Sequence, residues 1–180
     1  LRQPDYVVTI LKTQLEGIKP ADLVTMAGLA AGIASLAFSV QGSIAFAALA
    51  IMVAGAFDFA DGAVARKTGS SSEFGKQIDS LNDMACFGAA PAALLFAART
   101  GSDATLIAVF GALFAIGAAI RLARFNLQQK KRVFFGLPAP AAGIIVAVAS
   151  VLIGGLPAGL VALACALLMV STIEIPKPAL

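Results

Sequence analysis

Four aspartates are spaced through the chain as Asp58-x2-Asp61-Gly62-x2-Ala65-Arg66-x8-Gly75-x3-Asp79-x3-Asp83. The carboxylate intervals are three and then four, so each pair falls on one face of a helix. Carboxylates at membrane depth are expensive and mark a functional site by default. Four of them converging would repel one another unless cations sit between them. The chain has no His, and its two cysteines, Cys86 and Cys165, are isolated in apolar stretches. The donors are therefore all oxygen, which selects magnesium, manganese or calcium over zinc. Two divalent ions would neutralise the four charges and leave room for a diphosphate. Such a pair clamps the attacking and leaving oxygens during displacement at phosphorus. Arg66 fits as a charge partner for the phosphates. The general base must be an aspartate, a lysine or water, and Asp83 is the natural candidate if the other three chiefly hold metal.

The elements that must position these groups are read from hydropathy. The 180 residues are 59% hydrophobic and 13% charged, with a mean hydropathy of +0.93, more apolar than a soluble core of this size requires. Stretches 21–40, 43–60, 74–98, 104–127, 138–154 and 157–173 approach or reach the roughly 20 residues that cross a bilayer. The reading is an all-α integral membrane protein with six transmembrane helices in one domain, residues 21–180. Residues 1–20 stand apart. Val7, Leu11, Leu15 and Ile18 recur at helical spacing among Arg2, Asp5, Lys12 and Glu16, which predicts an amphipathic helix lying in the interface. The first residues are too polar for a cleavable signal peptide, and Leu1 in place of Met points to a start lost upstream.

Of the 13 Lys plus Arg, all but Arg99 fall on one side of the predicted spans. Basic residues mark the cytoplasmic side, so both termini and the aspartate string are expected there. The cluster at 130–132 can also hold anionic headgroups. Small residues crowd the first two spans, with Gly28, Ala31, Gly32 and Ser35 in one and Ala54, Gly55, Ala60 and Gly62 in the other. They allow the close helix approach in lipid that carboxylates sharing an ion need. The polar string 67–73 reads as a short turn, with Ser71 or Ser72 as N-cap of the third span. The two half-sites then meet across an antiparallel hairpin. An ion-binding transporter is the rival class. It would carry its carboxylates near mid-membrane with a polar track to the far side, and the sequence shows neither.

The string from Asp58 to Asp83 resembles the signature of the CDP-alcohol phosphotransferase family, DxxDGxxAR-x8-GxxxDxxxD, at every defined position. The resemblance implies a multi-pass membrane enzyme, typically a homodimer, that joins a CDP-linked lipid to an alcohol and releases CMP. By position it makes Asp58, Asp61 and Asp79 metal ligands. It makes Asp83 both ligand and base. Gly62, Ala65, Arg66 and Gly75 align with positions that contact the CDP moiety. Residues 83–92, DMACFGAAPA, together with RLARFN at 121–126 and GLPAPAA at 136–142, are similar to strings of the family's phosphatidylserine synthases. Thr25 and Gly32 frame Gly28 where that branch usually carries Asn, while inositol-phosphate-type members carry Gly.

The implied substrates are CDP-diacylglycerol or CDP-archaeol and L-serine, with two magnesium or manganese ions, calcium being the third possibility. Membrane lipid is the surrounding partner, and no nucleic acid is involved. Arg121 and Arg124, one turn apart at the end of the fourth span, are candidates for the serine carboxylate or a substrate phosphate. They also read as arginines that merely snorkel to the interface. The alternative acceptors are inositol phosphate and glycerol phosphate.

Overall fold

Lys19 and Pro20 open the first helix for local reasons. Proline at the first helical position has no N–H to leave unpaired, and the Lys19 N–H donates to Asp22 Oδ2 at 2.8 Å, closing the first turn. The computed structural model that shows this describes residues 19–68, 73–99, 103–127, 133–171 and 174–176. At 20, 65–68, 73–74, 133–135 and 174–176 the description extends to the backbone alone. The predicted interfacial helix lies outside the described residues up to position 18, and Pro20 already belongs to the first helix. The predicted N-cap at Ser71 or Ser72 also lies outside them.

Helix α1 (Pro20–Val40) turns at Gln41–Ser43 into α2 (Ile44–Thr68). Gly42 makes the reversal with φ +72°, a conformation open to glycine at little steric cost. The second helix runs past the expected end of its span, so Arg66 sits in its last turns rather than terminating it. Helix α3 (Glu73–Asp83), a π-helical segment (Met84–Ala89) and α4 (Ala90–Ala97) then form one continuous rod. Helices α5 (Ala104–Leu127), α6 (Ala139–Leu152) and α7 (Gly155–Val170) complete the bundle. Two three-residue strands, β1 (Val133–Phe135) and β2 (Glu174–Pro176), pair antiparallel and tie the segment after α5 to that after α7. The body of the chain is helical, as expected. This short ladder is an addition to that reading.

Four rods are long and apolar enough to cross a membrane: 21–40, 44–64, 75–97 and 104–127. Helices α6 and α7 are apolar but shorter. Side-chain distribution agrees with a lipid environment. Val40, Phe59, Leu127 and Leu152 are each at least 75% exposed, while the buried cluster is rich in alanine, including Ala47, Ala54, Ala90, Ala118, Ala142 and Ala158. Large apolar groups outside and small ones inside is the pattern of helices packed in lipid. The chain is a multi-pass membrane protein. Cys86 and Cys165 are buried free thiols, in keeping with their isolation in apolar stretches.

The π segment has an identifiable cause. Pro91 has no N–H for the carbonyl four residues back, and its ring crowds that carbonyl. The turn before it widens, and the Ala90 N–H reaches Ala85 O, five residues back. Opposite this turn, Gly143 of α6 comes so close that an added Cβ would stand 2.9 Å from Phe87 Cα and 3.1 Å from Phe87 O. Gly143→Val should therefore force α6 away from the π turn. Overpacking of this kind costs about 1–3 kcal/mol. The expected readout is a clearly lowered thermal midpoint in detergent, beside a lipid-facing control such as Phe59→Leu that leaves the midpoint unchanged.

Candidate metal centre and its surroundings

The α2–α3 reversal brings the two aspartate pairs face to face. One carboxylate oxygen each from Asp58, Asp61 and Asp79 lies within 4.8 Å of the others. Asp83 is not part of that triad. Its carboxyl contacts that of Asp58 within hydrogen-bonding reach, and its Oδ1 is buried without a partner among the described residues. Two carboxyls in contact require a shared proton or a cation between them. Three hard oxygen donors around one space, with a fourth carboxyl beside them, suit a magnesium, manganese or calcium ion. The cluster could hold such a metal.

Asp61 is the most enclosed of the triad, 7% exposed. Thr25 of α1 donates from Oγ1 to Asp61 Oδ2 at 2.6 Å and also lies 3.2 Å from Ala21 O. The Gly62 N–H hydrogen-bonds to the Asp61 carboxylate as well. Helix α1 therefore orients a candidate ligand carried by α2, and Thr25 borders the acidic cluster although sequence reasoning used it only as a pattern position. A threonine within an apolar run, one span away from the aspartates, was its only signal. Gly75 lies at the start of the α3 face that carries Asp79 and Asp83. The side chains of Ala65 and Arg66 lie outside the described residues.

The paired arginines of α5 separate in role. The half-buried Arg121 guanidinium interacts electrostatically with Asp83 and Asp58, stands 5.9 Å from the Phe125 ring centre and keeps Nε buried without a partner among the described residues. Arg124 points elsewhere. Its Nη1 donates to Val170 O at 2.7 Å, at the C-terminus of α7 where unpaired carbonyls favour a cation. One arginine faces the carboxylates and the other fastens two helices.

A second polar link holds α3 to α5. Asn126 Nδ2 donates to Ser80 Oγ at 2.8 Å, and Ser80 Oγ lies 3.2 Å from Asn126 Oδ1. Ser80 follows Asp79 directly, so this pair fixes the rotation of the ligand helix against the helix that carries Arg121. Asn82 and Cys86 form a further buried polar pair on the same rod, with Cys86 Sγ 3.2 Å from Asn82 Oδ1. Neither pair was singled out from the sequence. Each polar residue is unremarkable until its partner, dozens of residues or one helical turn away, is known.

Residues 19–171 match the CDP-alcohol phosphatidyltransferase family. The chain is 38% identical to an archaetidylserine synthase of Methanothermobacter thermautotrophicus over 87% of its own length and 69% of that protein's. It is 36% identical to a CDP-diacylglycerol–serine O-phosphatidyltransferase of Methanocaldococcus jannaschii, over 87% of this chain and 73% of the relative. A Bacillus subtilis protein of the same name is 28% identical over 86% and 88% of the two lengths. An oxygen-only carboxylate triad at the end of an apolar helix pair, within a sequence match that runs through every described span, leads to one assignment: the chain belongs to the CDP-alcohol phosphatidyltransferase family.

Proposed function

We propose that the protein transfers a phosphatidyl or archaetidyl group from a CDP-linked lipid to the hydroxyl of L-serine and releases CMP. The observation that carries this is the set of Asp58, Asp61 and Asp79 within 4.8 Å of one another, with Asp83 against Asp58 and Arg121 facing both. The names of the relatives, archaetidylserine synthase and CDP-diacylglycerol–serine O-phosphatidyltransferase, supply the acceptor and the lipid.

Asp83 is the base. Its Oδ1, without a partner among the described residues, accepts the hydroxyl proton as the serine oxygen forms a bond to the lipid-side phosphorus. The bond from that phosphorus to the bridging oxygen breaks, and CMP leaves with the electron pair. Arg121 takes the serine carboxylate, a role that a planar guanidinium beside two carboxyls fills without adding negative charge. Arg66, from its position in the aspartate string, is assigned to the departing phosphate, with Gly62, Ala65 and Gly75 along the CDP moiety. Asp58, Asp61 and Asp79, with Asp83 at their edge, would hold two magnesium or manganese ions. Such ions supply charge neutralisation at the phosphoryl oxygens. Thr25 keeps Asp61 aimed at that space. Arg124 acts on stability through Val170.

The same reading takes α6 and α7 as spans five and six, with residues 1–20 as an interfacial helix. It has both termini and the site on the cytoplasmic side, as the distribution of basic residues suggests. The working unit is a homodimer.

Purified protein supplied with CDP-diacylglycerol or CDP-archaeol, manganese and labelled serine should release CMP and form a serine lipid, and a chelator should stop it. Release with inositol phosphate but not with serine would overturn the acceptor. Asp83→Asn should lower kcat by about 10²–10⁴-fold, the usual worth of a positioned base, with the fold intact; near-normal turnover would remove Asp83 from that role. The two arginines should part company in kinetics. Arg121→Ala should raise the KM for serine about tenfold or more, as loss of a charged hydrogen bond does. Arg124→Ala should leave that KM unchanged and lower the thermal midpoint.

A further inference from the structure

Directly before Asp83, α3 carries a side chain with no exposed surface: Asn82 is 0% exposed. Cys86, one turn along the rod, lies with Sγ 3.2 Å from Asn82 Oδ1 and 3.4 Å from Gly28 O on α1. The thiol thus orients the carboxamide. Asn82 Nδ2, which carries two N–H donors, is buried and has no partner among the described residues. A buried donor left unpaired costs folding free energy, and an apolar side chain of the same shape would remove that cost. For folding alone, leucine would serve better at this position.

Gly28 makes the room for this amide. A Cβ at position 28 would stand 3.5 Å from both Nδ2 and Oδ1 of Asn82 and 3.3 Å from Phe57 Cβ. A side chain grown from α1 would thus fill the volume that the Asn82 carboxamide now fills from α3. The residues around that volume are chain neighbours of the acidic cluster. Phe57 precedes Asp58, Asn82 lies between Asp79 and Asp83, and Gly28 is one turn from Thr25, which holds Asp61. Asp83 Oδ1, on the next residue, is likewise buried and unpartnered. The carboxylates are acceptors only, so an anionic phosphate drawn among them by cations takes no hydrogen bond from them and needs N–H donors from neighbouring side chains.

We propose that Asn82 is a further substrate-binding residue, whose Nδ2–H groups donate to an oxygen of the diphosphate of the CDP-linked lipid, with Gly28 as the space that admits the amide. This rests on the nucleotide-lipid reading given under Proposed function. A residue that served packing alone would have its donor paired or would be apolar. Among the described residues Asn82 is neither, and it stands on α3 between Asp79 and Asp83.

The test is calorimetric titration of CDP-diacylglycerol into purified protein with manganese and no acceptor alcohol, with thermal midpoints measured in parallel. Asn82→Leu should weaken binding about tenfold or more, the loss of one hydrogen bond to a charged group, while the midpoint stays level or rises. Asn82→Ala should show the same loss of affinity and gives the comparison if the leucine variant does not fold. In the double variant Gly28→Asn with Asn82→Ala, the carboxamide returns from the opposite helix, and most of the lost affinity should return with it. Binding by a folded Asn82→Leu or Asn82→Ala protein within about twofold of wild type would overturn the assignment. So would a folded double variant that binds no better than Asn82→Ala. If the wild type itself binds neither CDP-diacylglycerol nor CDP-archaeol, titrated in the same way, the nucleotide-lipid reading falls first and this inference with it. Normal wild-type binding with unaffected variants removes Asn82 alone.

Discussion

Mutual repulsion among carboxylates is the constraint around which this bundle is organised. Three charges within 4.8 Å of one another oppose each other by on the order of 3–4 kcal/mol per pair at the effective dielectric of a protein surface, and by more as water is excluded. No helix hairpin would close spontaneously on such a cluster without something to hold it. The fold answers from several directions at once. Thr25 and the Gly62 N–H engage Asp61, Arg121 sets its charge against Asp58 and Asp83, and the triad leaves a space that an oxygen-seeking cation fits. The carboxylates are kept close by neighbours that face away from the lipid.

Those neighbours depend on small residues. With alanine and glycine lining the interior, the rods approach closely enough for a threonine on α1 to reach an aspartate on α2. Many large apolar side chains, Val40, Phe59 and Leu127 among them, lie outside, where lipid rather than water receives them, so little is lost by exposing them. The rear helices contribute position more than chemistry. Asn126 grips Ser80 beside a ligand, Arg124 fastens α5 to the end of α7, and the short β-ladder closes the same end of the bundle. At Gly136 the chain entering α6 has φ +71°, and an added Cβ would stand 2.6 Å from Leu168 O. Only glycine meets both conditions there.

Pro91 shows how a single residue reaches the site indirectly. By withholding a backbone donor it widens the turn before it into a π segment that begins immediately after Asp83. Asp79 and Asp83 lie before that segment, whereas Phe87 within it and Ala90 just after it pack into the core. Without the extra residue in the turn, the two faces of this rod would stand in a different relation. A proline in an apolar span is easily read from sequence. Its effect on register is not, because the widened turn packs against α6 at Gly143, a contact between distant parts of the chain.

The helical membrane architecture, the apolar rods and the aspartate intervals were legible in the amino-acid sequence because each is a local periodic property. Hydropathy over some twenty residues marks a rod, and steps of three and four mark a helix face. The observed rods 21–40, 75–97 and 104–127 accordingly follow the predicted spans closely. That the two aspartate half-sites meet across a hairpin was legible as well, but which side chains then partner one another was not. The sequence reading sets Asp83 apart only by its place at the end of the series, whereas the packed hairpin brings the other three together and leaves Asp83 against Asp58. It treats Arg121 and Arg124 as a pair, yet the position of α7 turns one of them into a cap. Thr25, Asn82 and Asn126 acquired meaning only through partners on other helices or on the next turn. Periodicity is written along one element, whereas distance and orientation between elements are decided by which small residues let them touch.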